Sequence, residues 1–401
     1  MMSSQRKQTC SLCLNTSDHP FGLGFDTAGL CHGCITHREK EKYRDANFEK
    51  LIDRIVSKNS ETYDCVIPVR GDADDYFVVS ELLQRGVTPL ITHVNSHFLN
   101  DIGWFNLQNL IDTFDLDSVS FNPNFIEYKQ LVNYALATNH SVFLPYKYLF
   151  HSFAVRQAVA KKIPFIVYGE SQPTEQCGNF SNLDFPKKSS WLHKVFDFEG
   201  KSLSEFLSSG GPYAPEHLEF YDYPKSKARA VTGVYLSNYI SWDSLKNNQI
   251  ALRHNFKPTE SSRTFDPFYR AGISGYYDIH DFMRLKNCGY LKVRDHLNRE
   301  IRYGRLSRSE AQTLYGQYLQ VPFAFEPFFD WLDISQSGRA WLKSHMFSDV
   351  NGEREAISDI TLPESLKKLT EHRKFQPTEQ YLSFSKQLDV GGSPQTEADL
   401  A

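Results

Sequence analysis

Two cysteine pairs and one acidic turn are the parts of this chain whose residue types and spacing could do chemistry. Cys10-Ser11-Leu12-Cys13 and Cys31-His32-Gly33-Cys34 form two CxxC knuckles with 17 residues between them. Each knuckle sets two sulfurs on one side of a tight turn, and the two together complete a tetrahedron, as in a four-thiolate zinc ribbon. A redox or metal-free pair of knuckles is the alternative, and His32 or His37 could replace one thiolate. Four thiolates leave no open coordination position, so Zn²⁺ held by Cys10, Cys13, Cys31 and Cys34 would be structural rather than catalytic.

The acidic turn is Arg70-Gly71-Asp72-Ala73-Asp74-Asp75. The apolar run before it, ending in Pro68 and Gly71, reads as a short buried strand. After it, Asp74 or Asp75 can cap a helix whose apolar face is Val78, Val79, Leu82 and Leu83. A strand, a glycine turn and a helix N-terminus make an anion site, because free N–H groups and the positive end of the helix dipole converge there. A second stretch, Tyr168-Gly169-Glu170-Ser171-Gln172-Pro173-Thr174-Glu175, leaves another apolar run. Glu170 at a strand end can hold Mg²⁺ or accept a sugar hydroxyl; a solvated loop carboxylate is the bland reading.

The elements that position these groups alternate. Strands are expected at 65–69, 89–94, 118–121 and 165–168, and helices at 75–85, 106–114, 125–137 and 146–161, which implies a parallel sheet with crossover helices. Ligands of such sheets sit beyond the carboxyl ends of the strands. That gathers residues 70–75, 95–97 and 169–175 around one cleft. An amphipathic helix over 39–58, with Phe48, Leu51, Ile52 and Ile55 on one face, joins the ribbon to the sheet. The expected division is a zinc ribbon at 1–45, an α/β domain at 46–230, a helical region at 231–375 and a disordered polar tail at 376–401. Residues 180–230, rich in Ser, Gly, Pro and Lys, read as an irregular insertion or lid. Trp242 reads as core. Lys292, Arg294, Arg299 and Arg302 could face phosphates, although charged helical residues ordinarily form a solvated face, and Ser307 with Glu310 is a capping box.

Composition narrows the class. The 401 residues are 40% hydrophobic and 23% charged, ordinary for a soluble globular protein. A formal charge of −4 argues against a nucleic-acid partner. The polar N-terminus offers neither a signal peptide nor a membrane span, and the cysteine usage suits a reducing cytoplasm. With 30 Phe and 21 Tyr, aromatic cores are expected, with sugar-stacking surfaces as a minority use. The chain has no Walker motif, GxSxG elbow, HExxH or internal repeat.

From about Cys10 to Phe347 the order of these features resembles the N-acetyl sugar amidotransferases, bacterial surface-polysaccharide enzymes of the PP-loop ATP pyrophosphatase superfamily. That family also begins with a CxxC pair and carries Ser-Gly-Gly-Lys-Asp-Ser after the same Tyr-Asp-Cys-strand-Pro-Val lead-in. Gly71 and Asp74 match that motif; the serines, second glycine and lysine are replaced. Glu170, Glu175 and Gly178 match the family's Tyr-Gly-Glu-Asn and Glu-x-Gly elements, with Ser171 for Asn. The resemblance implies a PP-loop α/β fold and a reaction in which ATP activates the carbonyl oxygen of an N-acetyl group on a nucleotide-linked sugar. Ammonia from a separate glutaminase–cyclase pair then leaves an acetamidino group. It assigns Asp74 and Glu170 as catalytic, with Arg70, Gly71, Asp72, Asp75, Gly169 and Glu175 holding nucleotide. Three carboxylates at the turn repel a nucleotide unless a metal intervenes. Either Mg²⁺ bridged by Asp74 with Asp72 or Asp75 restores ATP binding, or the chain keeps the fold as a sugar-nucleotide-binding or assembly protein, or as an enzyme with different chemistry. A zinc-ribbon tRNA thiolase shares the fold and is disfavoured by charge.

Overall fold

The computed structural model describes residues 7–57, 62–179, 198–208, 210–224, 230–260, 263–345 and 360–372. Helix α1 (His32–Ser57) begins inside the second knuckle and runs through residue 45, burying Phe48, Leu51, Ile52 and Ile55 as their spacing predicts. Then come β1 (Cys65–Val69), α2 (Ala73–Leu83), β2 (Pro89–Val94), α3 (Asp101–Thr113), β3 (Ser118–Phe121), α4 (Phe125–Asn139), α5 (Leu144–Ala160), β4 (Phe165–Tyr168) and the short α6 (Gln172–Cys177). All four expected strands form at the expected residues. Helix α3 starts earlier than the apolar pattern suggested, because Asn100 caps it by accepting the Gly103 N–H at 2.8 Å.

A fifth strand, β5 (Thr232–Tyr235), was not expected from the sequence. Its four residues form no periodic run of their own; pairing with β4 makes it a strand. The sheet is parallel throughout, in the order β3-β2-β1-β4-β5. The chain therefore builds outward from β1 to β3, then returns to add β4 on the other side. The switch point lies between β1 and β4, where the carboxyl ends of neighbouring strands diverge and leave a crevice.

Strands β1, β2 and β4 are buried along their whole length, which explains the apolar runs of β1 and β4 and the mostly apolar β2, broken only by the buried Thr92 and His93, whereas the edge strand β3 alternates exposed and half-buried residues. Side chains of alternate parity feed two cores. Val66, Leu90, Ile166 and Tyr168 pack with α4 and α5; Cys65, Ile67, Val69, Phe165 and Val167 pack with α2 and the C-terminal helices.

Part of the stretch read as an irregular insertion is ordered. Helix α7 (Leu203–Leu207) and a 3₁₀ turn (Pro215–Tyr221) bury Phe198, Phe206, Leu218 and Tyr221 against the α5 side of the sheet. Residues 180–197, 209 and 225–229 of that stretch, and the expected tail at 376–401, lie outside the described residues. The C-terminal region is helical as expected: α8 (Ser244–Arg253), α9 (Ser274–Cys288), α10 (Val293–Arg302), α11 (Arg308–Gln320), α12 (Glu326–Trp331), α13 (Gln336–His345) and α14 (Glu364–Thr370). Among the described residues, no helix is long and apolar enough to cross a membrane.

Candidate functional site

The cleft at the switch point is a cavity of about 650 Å³. Arg70, Asp72, Asp74, Asp75, Gly169, Glu170 and Glu175 all line it, so the structure brings the two informative stretches together. Gly71 lies in the same turn with φ +81, where a side chain is strained and a Cβ would meet Leu107 at 3.0 Å. Residues 95–97, expected at the same rim, are absent from the wall. His97 instead turns its Nε2 to the Pro123 carbonyl at 3.0 Å.

The turn is closed on itself. Asp72, rather than Asp74 or Asp75, stands at the N-cap of α2, in extended conformation, and Asp75 occupies the third helical position. The backbone N–H groups of Arg70, Gly71 and Asp72 donate to one oxygen of Asp75, Oδ2, at 2.7, 2.9 and 3.0 Å. A concave row of N–H groups is where a phosphate oxygen would sit. Here a side-chain carboxylate sits there. Asp72 points toward two cations, Arg270 Nη1 at 3.6 Å and Arg70 Nη1 at 3.9 Å, while the Arg70 guanidinium lies 4.8 Å from the centre of the Phe150 ring.

These carboxylates raise one another. Burial, then the charge of Asp72, push Asp74 up to about 6, with Glu170 adding to the effect and Arg70 opposing it. Burial followed by Asp74 and Asp72 raises Asp75 well above the ordinary range, against the pull of Arg70 and its N–H. Glu170 is raised by burial and by Glu175, and drawn back by Lys292 and Arg299 across the cleft. The Asp74 carboxylate lies over Gly169, where a Cβ would be 3.3 Å from Oδ2 and 3.4 Å from the Trp242 ring. Trp242 is buried edge-on to Phe77 at 5.5 Å, so it is core and cleft wall at once. Glu175 faces the cavity, but its carboxylate is engaged by Lys40.

The far wall comes from α9, α10 and the loop before them. Sequence reasoning missed Arg270, Asp266, Tyr269 and His296, which no motif marks. The charges of α10 are not a solvated face. Lys292, Arg294, Asp295, Asn298 and Glu300 are buried, and the helix works as an ion-paired strut. Arg299 bonds Asp266 at 3.0 Å and Glu300 at 2.6 Å; Arg305 bonds Glu300 and grips both oxygens of Asp243 at 2.7 and 2.8 Å. Burial works against ionisation of Asp295, but Lys292, at 3.2 Å, leads the groups that hold its carboxyl well below the usual range.

The cysteines meet as their spacing predicts. Cys10, Cys13, Cys31 and Cys34 are all buried and their sulfurs lie within 4.8 Å of one another. Cys10 and Cys34 are 4.0 Å apart, Cys13 and Cys31 3.6 Å. A tetrahedral zinc with bonds of about 2.3 Å needs sulfurs about 3.8 Å apart, so the cluster fits that ion. Backbone N–H groups of Leu12 and Cys31 point at Cys10 Sγ from 3.4 and 3.3 Å, as they do around thiolates. Among the described residues this is the one compact group of three or more metal-ligating side chains. The acidic turn is not such a group, since Asp75 is turned into the N–H row and Asp72 toward arginines.

Comparison with known proteins gives three findings. Residues 262–342, which contain α9 to α12, match the family model described as "LPS biosynthesis protein WbpG-like, C-terminal domain". No curated protein sequence matches the chain. Among solved structures, that of NMN synthetase from Francisella tularensis is similar at 14% identity, covering 54% of this chain and 92% of that one, with a TM-score of 0.25.

Proposed function

We propose that this protein serves the biosynthesis of a bacterial surface polysaccharide of the lipopolysaccharide type, binding a nucleotide-linked N-acetyl sugar in the cleft at the β1/β4 switch point. The matched segment supports the pathway, because that family is described by lipopolysaccharide synthesis and the segment contributes the cationic wall of the cleft. The cleft has the size of a small-ligand site. Arg70 and Arg270, which meet Asp72 only at 3.9 and 3.6 Å, suit a diphosphate, and Glu170 suits sugar hydroxyls. Trp242, Tyr146 and Phe150 offer ring surface.

The observation that carries this reading is the Asp75 carboxylate in the N–H row. As folded, the turn does not fit the phosphates of ATP, and no catalytic step is assigned through ATP or Mg²⁺. Titration calorimetry tests the reading. UDP-N-acetylglucosamine should bind with a Kd below about 1 mM, and ATP with Mg²⁺ should give no heat of binding. Binding of ATP without the sugar nucleotide would overturn it.

A second reading keeps the ATP-dependent amidotransferase reaction, with ammonia from a glutaminase–cyclase partner. It is favoured by Asp74, held near 6 beside Glu170, a poise suited to proton transfer at neutral pH. Release of AMP and pyrophosphate on mixing the protein with ATP, Mg²⁺, ammonia and an N-acetyl sugar nucleotide would establish it.

A further inference from the structure

The cleft wall that follows Glu170 is built directly against the second cysteine knuckle. Gly33 sits between Cys31 and Cys34, and a Cβ there would lie 2.2 Å from the Gln176 carbonyl oxygen and 2.6 Å from Arg302 Nη2. Gly178, with φ +64 at the end of α6, returns the contact: its Cβ would fall 2.4 Å from the His32 carbonyl oxygen. Backbone touches backbone, with room for no side chain at either point.

Arg302, at the end of α10, closes this junction. Its Nη1 donates to the Glu175 carbonyl and its Nη2 to the Gln176 carbonyl at 3.0 Å, so one planar fork latches two consecutive residues of α6. Asn15 adds a second tie, donating from Nδ2 to the same Gln176 oxygen at 3.0 Å while its backbone N–H points at Cys13 Sγ from 3.5 Å. Asn298 of α10 holds Asn15 in turn, donating to its Oδ1 at 2.8 Å and accepting the Leu14 N–H at 2.7 Å. The helix so latched carries Gln172, Pro173, Glu175 and Gln176 of the cavity wall.

The charges agree with the geometry. Four thiolates around a divalent metal carry two net negative charges, which are costly to bury without a cation. The Arg302 guanidinium, packed against Gly33, is such a cation.

We propose that Arg302 is a positioning residue joining the four-cysteine metal cluster to the ligand cleft: it balances the charge of the cluster on one side and fixes α6 on the other. The inference does not depend on which ligand the cleft takes.

The test begins with the wild-type protein, so no variant need fold. A chelator strips the metal, and amide hydrogen exchange is compared before and after. Exchange in residues 172–178 should rise about ten-fold or more, while β1 and β2 keep their protection. Unchanged exchange in 172–178 overturns the coupling. Two variants then isolate the residue. Arg302→Met should release metal to a chromogenic chelator about 10-fold faster or more, the usual effect of losing an outer-shell partner. Arg302→Lys keeps the charge but loses the fork. It should restore release to within about 3-fold of wild type and still leave 172–178 loosened. Release from the Met variant at the wild-type rate would overturn the charge-balancing role. Wild-type exchange in the Lys variant would overturn the latch.

Discussion

The cysteine cluster and the β1–α2 turn are both places where a tight turn aims groups of one polarity at a point, and they resolve that convergence in opposite ways. The knuckles aim four sulfurs at one point, with Arg302 balancing charge only from outside their ring, so the centre suits an imported metal ion. The turn aims three N–H groups inward and then supplies the acceptor itself, Oδ2 of Asp75, three residues downstream. Convergence of like groups marks a binding site only when the chain does not place its own counter-group at the point of convergence. That difference separates a site open to an external partner from one that is already satisfied, and four substitutions can break or sharpen it.

The largest effect should come from Cys34→Ser. Removing one of four ligands from a closed site leaves three buried thiolates without a full coordination sphere. Metal content by atomic emission should fall from about one equivalent toward zero. Stability in urea should drop by roughly 4 kcal/mol or more, the range that marks loss of a metal. A variant that keeps its metal and its midpoint would mean the sulfurs hold nothing.

Asp75→Ser should move the turn into the other class. With the carboxylate gone, three N–H groups need an outside acceptor, and leaving them unpaired costs about 1–3 kcal/mol. Pyrophosphate should then stabilise the variant more than wild type, by about a further 2.7 kcal/mol at a hundred times the Kd of the opened row. Equal thermal shifts in both proteins would show that Asp75 does not block the row.

How much of this was legible beforehand follows the same division. Cys10, Cys13, Cys31 and Cys34 could be read because their spacing encodes the geometry outright. Strands β1 and β4 could be read because burial on both faces leaves no polar interruption, and β2 because Thr92 and His93 are its only polar residues. Strand β5 could not, because Gly233 and three neighbours have no pattern of their own and are a strand only by pairing with β4. The three aspartates at the turn could be seen as hostile to phosphate. Nothing in their order said that one of them takes the phosphate's place, since that depends on Gly71 reversing the chain so that Asp75 faces back into the row. The buried charges of α10 were misread for a related reason. In α10, Arg299 is paired with Asp266, 33 positions away, and just beyond its end Arg305 is paired with Asp243, 62 positions away.

A smaller effect tests whether burial, with the acids beside the row, penalises the charge of Asp74. Asp74 is held near 6 against 3.8 for a free carboxyl. The folded protein therefore binds more protons than the unfolded chain between about pH 4 and 6, and stability falls as pH rises through that window. About two units correspond to roughly 3 kcal/mol, and partial exposure of the group cuts this by about half. Asp74→Asn should therefore be more stable than wild type by about 1–2 kcal/mol at pH 7.5, with the gap closing below pH 4. Parallel pH profiles of urea midpoints would show that neither burial nor the neighbouring acids penalise the Asp74 charge.

The smallest effect isolates the conformation that lets the turn close. Gly71 adopts φ +81 and leaves only 3.0 Å to Leu107 for an added Cβ. An alanine there pays about 1 kcal/mol for the left-handed backbone, plus a few tenths for pushing Leu107 aside. Yet the hydrogen bonds to Asp75 come from the backbone, and an alanine has the same N–H. Gly71→Ala should therefore lower stability by about 1–2 kcal/mol without adding to the wild-type response to pyrophosphate, in contrast to Asp75→Ser. Should the alanine variant gain a pyrophosphate response of the same size, closure would depend on the shape of the turn rather than on the carboxylate that fills it. The contrast with the cysteine cluster would then rest on backbone strain instead of on who supplies the counter-charge.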